Sequence, residues 1–123
     1  MPDHLPSLEL LQQMQVGLTF ADERGIIRFY NSFMAEHFQR SPDMIGRHLF
    51  DYHNPVSVQK IKNMYLQFEG GRKEPFFSQG EQNGKNFTII YQPIFRENRF
   101  IGCLELLLFS TGAGEPQNSD NVN

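Results

Sequence analysis

The strongest constraint on this chain lies in its back half. Three β-rich runs, "EPFFSQG", "KNFTIIYQPIF" and "FIGCLELLLF", follow one another with only "EQNG" and "RENR" between them. Links this short cannot carry a crossover, so neighbouring runs must pair antiparallel. Asn83-Gly84 ends the first link with the residue pair that two-residue hairpin turns favour. "RENR" reads as a tight polar loop. The last run is apolar at nearly every position of "CLELLLF", which predicts cover on both sheet faces around it.

The front half supplies a second hairpin. In "VGLTFADERGIIRFYN", Val16, Leu18 and Phe20 alternate with small or polar residues, as in a half-buried strand. Asp22–Gly25 has turn chemistry, and Ile26–Tyr30 is the returning strand. The period then changes. "SFMAEHFQR" spaces Phe33, Met34 and Phe38 as a helix does. In "SPDMIG", Ser41 caps a short helix with Pro42 at its first position, and Gly46 ends it. Asn54 caps a longer helix, Pro55 opens it, and Gly70-Gly71 stops it. Its apolar face is Val58, Ile61, Tyr65 and Phe68, with Met64 beside it. Two strands, then helices, then three strands predict an α+β fold. One five-stranded antiparallel sheet would carry the short helices on one face. Ahead of it, Ser7 caps an amphipathic helix with Leu8, Leu10, Leu11 and Met14 as its stripe, the natural cover for the outer sheet face in the same chain or from a partner.

The chain has 123 residues, enough for one domain with a real core and no metal or disulfide staples. The expected division is an N-terminal helical cap at 1–15, the domain at 16–109, and a polar, flexible tail at 110–123. Net charge is −3 with no basic block, which argues against nucleic acid as a partner. The single cysteine, Cys103, excludes an internal disulfide and fits a reducing cytoplasm. No secretory signal is visible, and the longest apolar run, "LLLF", is far too short to span a membrane.

Taken in order, "GLTFADERGIIRFYN", "SPDMIGRHLFDYH" and "FIGCLELLLF" resemble the PAS domain over about Val16 to Phe109. The first is similar to the opening hairpin, with its Asp-x-x-Gly turn and closing Asn. The second is similar to the segment where a short helix ends in Ile-Gly and leads to a Phe and a His. The third is similar to the final strand with its apolar-Gly pair. The resemblance implies a sensory, signal-transducing module without catalysis of its own. A downstream signalling partner is implied as well, and a homodimer is expected through the N-terminal Leu8–Leu11–Met14 stripe. No kinase, DNA-binding or cyclase segment follows Phe109 in this stretch. The output would therefore belong either to a longer protein or to a separate one.

Within that family, "YHNPVSVQKI" is similar to a His-Pro-x-x-Ser pattern of a bacterial subset that includes haem-containing gas sensors. The matching histidine there ligates haem iron. The resemblance therefore implies haem b at His53, with Val58, Ile61, Met64 and Tyr65 against it. Arg47 and Lys60, with Lys62, would offer cations to the propionates, and Cys103 is the one soft ligand on the sheet. Asn54 separates His53 from the proline, and no methionine falls on an expected strand. Two other readings stand beside this one. His53 can pack as a hydrophobic staple on Val58, in a cofactor-free or small-ligand module that works through protein contacts. Asp51 with His53 can form an acid–base pair in a small-molecule enzyme. His37 is expected at the surface, and His48 with His53 forms no recognised metal pair. The cysteine of flavin-adduct photosensors, a Ser-His-acid set and a phosphate loop have no counterpart.

Overall fold

A computed structural model describes residues 7–110. In chain order the elements are α1 (Ser7–Gln13), β1 (Gly17–Asp22), β2 (Ile27–Tyr30) and α2 (Ser32–Phe38). Two 3-10 turns follow (Pro42–Met44 and Leu49–Tyr52), then α3 (Pro55–Glu69), β3 (Phe76–Gln82), β4 (Lys85–Arg96) and β5 (Arg99–Phe109). The strands form one antiparallel sheet in the order β2-β1-β5-β4-β3. The last strand to be made therefore sits in the middle, which is why its sequence is apolar on both faces.

Local chemistry fixes the connections. Asn83 and Gly84 have φ of 53° and 81°, and Glu97 and Asn98 have 51° and 64°, so both links are two-residue turns with left-handed central residues. The Asn54 side chain accepts from the Ser57 N–H at 2.8 Å, and Pro55 opens α3 as its first residue. Gly70 closes that helix by donating to the Leu66 carbonyl. Ser7 lies inside α1, and the tail expected from 110 onward falls, after Ser110, outside the described residues.

One polar residue ties three front elements together. Asn31 is fully buried. Its Oδ1 accepts from the N–H groups of Leu18 (2.9 Å) and Met34 (3.1 Å), and its Nδ2 donates to the carbonyls of Leu11 (2.9 Å) and Val16 (2.8 Å). All four hydrogen-bonding positions of its amide are in use. It thereby caps α2 and holds the chain leaving α1 against β1.

Register decides the two sheet faces. Thr19 pairs with Glu105, Glu105 with Tyr91, and Tyr91 with Phe76, so these four form one row on one face. Ala21 and Cys103 form the next row. The helices pack on this face: Met34 against Ile89 and Leu107, and Phe68 against Phe100 and Cys103. The phase expected for β1 is thus corrected. Leu18 and Phe20 lie on the outer face, and the small residues Thr19 and Ala21, both nearly inaccessible, point to the helices. Gly102, paired with Asp22, must be glycine because a Cβ there would strike the Ala21 carbonyl and the Phe20 ring.

The N-terminal helix also sits differently from expectation. α1 packs on α2, buries none of its residues, and leaves Leu8, Leu10 and Met14 exposed rather than laid over the outer face. The Gln12 side chain accepts from the Ser32 N–H at 2.7 Å, which sets this position beside α2.

Candidate functional site

Between the helix-bearing face of the sheet and α3 lies a cavity of about 480 Å³. Its floor is the Thr19–Glu105–Tyr91–Phe76 row, with Ala21 and Cys103 behind it. Its wall is the inner face of α3, where Ser57, Lys60, Ile61, Met64 and Tyr65 recur at helical spacing. Leu49 and His53, from the turn that leads into α3, close one end, and Ser78 lies on the edge strand.

His53 is the residue at the C-terminal end of the 49–52 turn. Its Nδ1–H donates to the Leu49 carbonyl at 2.7 Å, so Nε2 is the nitrogen left without a partner. The side chain is solvent-exposed and stands at the mouth of the cavity. Asp51 makes no hydrogen bond to it, so the acid–base pair considered from the sequence is not formed among the described residues. Ile61, Met64, Tyr65, Lys60 and Cys103 line the cavity with His53. Val58 and Arg47 do not. Arg47 is exposed and its Nε donates to the Asp43 carbonyl, while Lys62 lies over the Phe50 ring on the other side of α3.

The electrostatics of the floor come from a residue far away in sequence. Arg40, just after α2, reaches Glu105 with Nη2 at 3.3 Å. It also donates Nε to Thr19 Oγ1 at 3.3 Å and Nη1 to the Phe38 carbonyl at 2.9 Å. One Glu105 oxygen is thereby engaged and the other is not. Burial, and next the neighbouring Glu105 carboxylate, pushes the Tyr91 phenol well above its ordinary range. Burial likewise pushes the Cys103 thiol up to about 12, so it stays a neutral thiol at physiological pH. Tyr65 is also raised by burial, and its hydroxyl donates to the Asp22 carbonyl at 3.0 Å, pinning α3 to the end of β1.

Five other polar groups around the cavity are unlike Tyr65 in one respect: they are unengaged. Among the described residues, the side chains of Ser57, Lys60, Asn63, Ser78 and Tyr91 have no hydrogen-bond or ion-pair partner. None is sealed away, since no fully buried side-chain oxygen or nitrogen lacks a partner. No group of three His, Cys, Asp or Glu side chains gathers as metal donors among the described residues.

The fold and cavity can now be set beside known proteins. A family model described as PAS domain matches residues 8–108. The chain belongs to the PAS domain family. PAS domains are sensory modules of signalling proteins and commonly dimerise. Among solved structures, this PAS domain is similar to the C-terminal domain of a Streptococcus mutans protein. The two are 26% identical with a TM-score of 0.71, over 82% of this chain and 80% of that one. It is also similar to the PAS domain of Bordetella pertussis BvgS, at 14% identity and TM-score 0.64, over 85% and 83%. A third is the Aer2 receptor of Vibrio cholerae, described as a dual PAS-heme oxygen sensor, at 19% identity and TM-score 0.53, over 78% and 95%. No curated protein matches the chain. No helix among the described residues is long and apolar enough to cross a membrane.

Sequence reasoning missed the floor of this PAS cavity. Thr19 and Glu105 are hidden by the phase of β1 and by a distant arginine, while Phe76 and Tyr91 read from the sequence only as core filling. The signal that was available is Glu105 itself, the one charge inside "CLELLLF". His37 also departs from expectation: it is half-buried, its ring 4.4 Å from Phe33 and 5.1 Å from Phe109.

Proposed function

We propose that this PAS domain senses a small organic ligand held in the cavity between α3 and the sheet. The observation that carries this reading is the set of unengaged polar side chains around a partly apolar space. A sealed structural core pairs such groups or omits them. Ligand contact with α3 and the central strand would shift the packing of both. A homodimer formed through the exposed Leu8, Leu10 and Met14 of α1 would pass that shift to a signalling partner. The sensing unit is 16–109, with 1–15 as the dimerising cap.

The test is a thermal-shift screen of small organic molecules on the wild-type chain and on Ser78→Phe, which fills the cavity from the edge strand. Hits that stabilise the wild type and not the variant are expected. Hits that stabilise both equally would place binding elsewhere.

His53 favours a second reading, haem b. A ligating histidine needs its second nitrogen fixed, and the Leu49 carbonyl does that for Nδ1. Nε2 of His53 would then take the iron, Ile61 and Met64 would lie against the ring, and Lys60 would meet a propionate. Arg47 and Val58 stand away from this position. The Cys103 thiol, held neutral by burial, is a poor sixth ligand. Haem bound there would supply gas or redox sensing. Haem-supplied protein should show a Soret band that disappears in His53→Ala; a band that survives this substitution removes His53 from the role.

A further inference from the structure

The charges around the cavity are not balanced, and the imbalance points to a ligand class. Glu105 is matched by Arg40, each of whose three guanidinium nitrogens is engaged, by Thr19, the Phe38 carbonyl and Glu105. Lys60 has no partner among the described residues, so the lined space carries one unmatched positive charge at its mouth. At the floor the free Glu105 oxygen can only accept, so it suits a donor and offers no hydrogen bond to a carboxylate. Between these ends Phe76, Ile61 and Met64 provide apolar wall suited to a ring.

We propose that the cavity selects a flat carboxylic acid bearing an N–H or O–H at its far end. Lys60 takes the carboxylate at the mouth, and Glu105 takes the donor at the floor. This rests on the reading of the cavity as a ligand site. The two charges fix the orientation of the ligand as well as its class, because reversing it would bring carboxylate to carboxylate. Tyr91, whose hydroxyl can donate or accept, sits beside Glu105 and serves whichever group the far end presents.

Isothermal titration with four related probes tests this. Indole-3-acetate has both required groups, indole-3-acetamide and tryptamine lack the negative charge, and 1-methylindole-3-acetate lacks the ring N–H. Indole-3-acetate should bind about tenfold or more tighter than each of the other three, the scale of one charge-assisted hydrogen bond. Lys60→Met, at an exposed position without a packing role, should erase its advantage over the acetamide. Equal or tighter binding of tryptamine or the acetamide overturns the charge assignment, as does acid binding unaffected by Lys60→Met. Equal binding of the 1-methyl acid overturns the Glu105 role. If no indole binds while the thermal-shift screen finds other cavity ligands, the class is wrong and the cavity reading stands. If neither binds, both fall.

Discussion

The corner around Asn31 and Asp22 and the cavity beneath α3 both bring polar groups below the surface, and they treat them in opposite ways. At the corner every group is paired. Asn31 makes four hydrogen bonds, and the Asp22 carboxylate accepts from the N–H groups of Arg24 (2.9 Å) and Ile26 (3.0 Å) and from Arg28 Nε (2.9 Å). In the cavity, Tyr91, Ser78 and one oxygen of Glu105 have no partner among the described residues. Paired buried groups hold a fold together, because each left without its partner costs the desolvation of a polar group. Unpaired groups facing a space contribute little to the fold and remain available to a ligand. On the proposed function, the difference separates residues that the fold needs from residues that a ligand would use.

Substitutions at the corner should have the largest effect. Asn31→Ala strands two N–H groups and two carbonyls, and should cost about 3 kcal/mol or more in urea unfolding. A loss below about 1 kcal/mol would mean that water replaces the side chain and that the corner is no different from the cavity. Gly102→Ala comes next. A methyl placed against the Ala21 carbonyl must push β1 from β5, and a drop of about 2 kcal/mol is expected in the same assay.

Asp22 gives a smaller effect with a clear pH signature. Burial pushes its carboxyl up, but the hydrogen bonds from Ile26, Arg28 and Arg24, with the Arg28 charge, outweigh burial and hold it below the usual carboxylate range. Its contribution is therefore present above the unfolded-state pKa and is lost as pH falls through the lower folded-state value. Asp22→Asn should lower stability at neutral pH by about 1 kcal/mol or less, since water partly screens the site. The variant should also flatten the stability curve below about pH 4. Parallel curves for variant and wild type would deny Asp22 this role.

The smallest effect on stability should come from the cavity. Tyr91→Phe removes a hydroxyl with no partner, so unfolding should stay within about 0.5 kcal/mol of wild type. A loss like that at Asn31 would show Tyr91 to be part of the paired framework after all.

The fold was legible because its signals are local. Asn54-Pro55 and Gly70 mark both ends of α3, and Asn83-Gly84 marks a hairpin that the structure contains. The family resemblance gathered these into the right order. The cavity was less legible because it depends on which face of the sheet the helices choose. Alternation of Val16, Leu18 and Phe20 shows that β1 has two kinds of face. It cannot show that Thr19 and Ala21 turn inward, since both faces of this sheet are partly apolar. Arg40 and Glu105 lie 65 residues apart, and no periodicity links them. Six of the eight residues named for a cofactor do line the cavity: Lys60, Ile61, Met64 and Tyr65 because α3 repeats its inner face every three or four positions, His53 from the turn before it and Cys103 from β5. Val58 falls off that face, and Arg47 lies in the loop between the two 3-10 turns.

The central claim, that the unpaired groups beneath α3 serve a ligand, is tested most directly by residue-resolved amide shifts during titration with indole-3-acetate and its three analogues. The account predicts saturable shifts at Thr19, Ile61, Ser78, Tyr91 and Glu105, strongest for the acid and absent from the Asn31 corner. Shifts confined to the outer sheet face would contradict it, as would none for any of the four together with no cavity ligand in the thermal-shift screen.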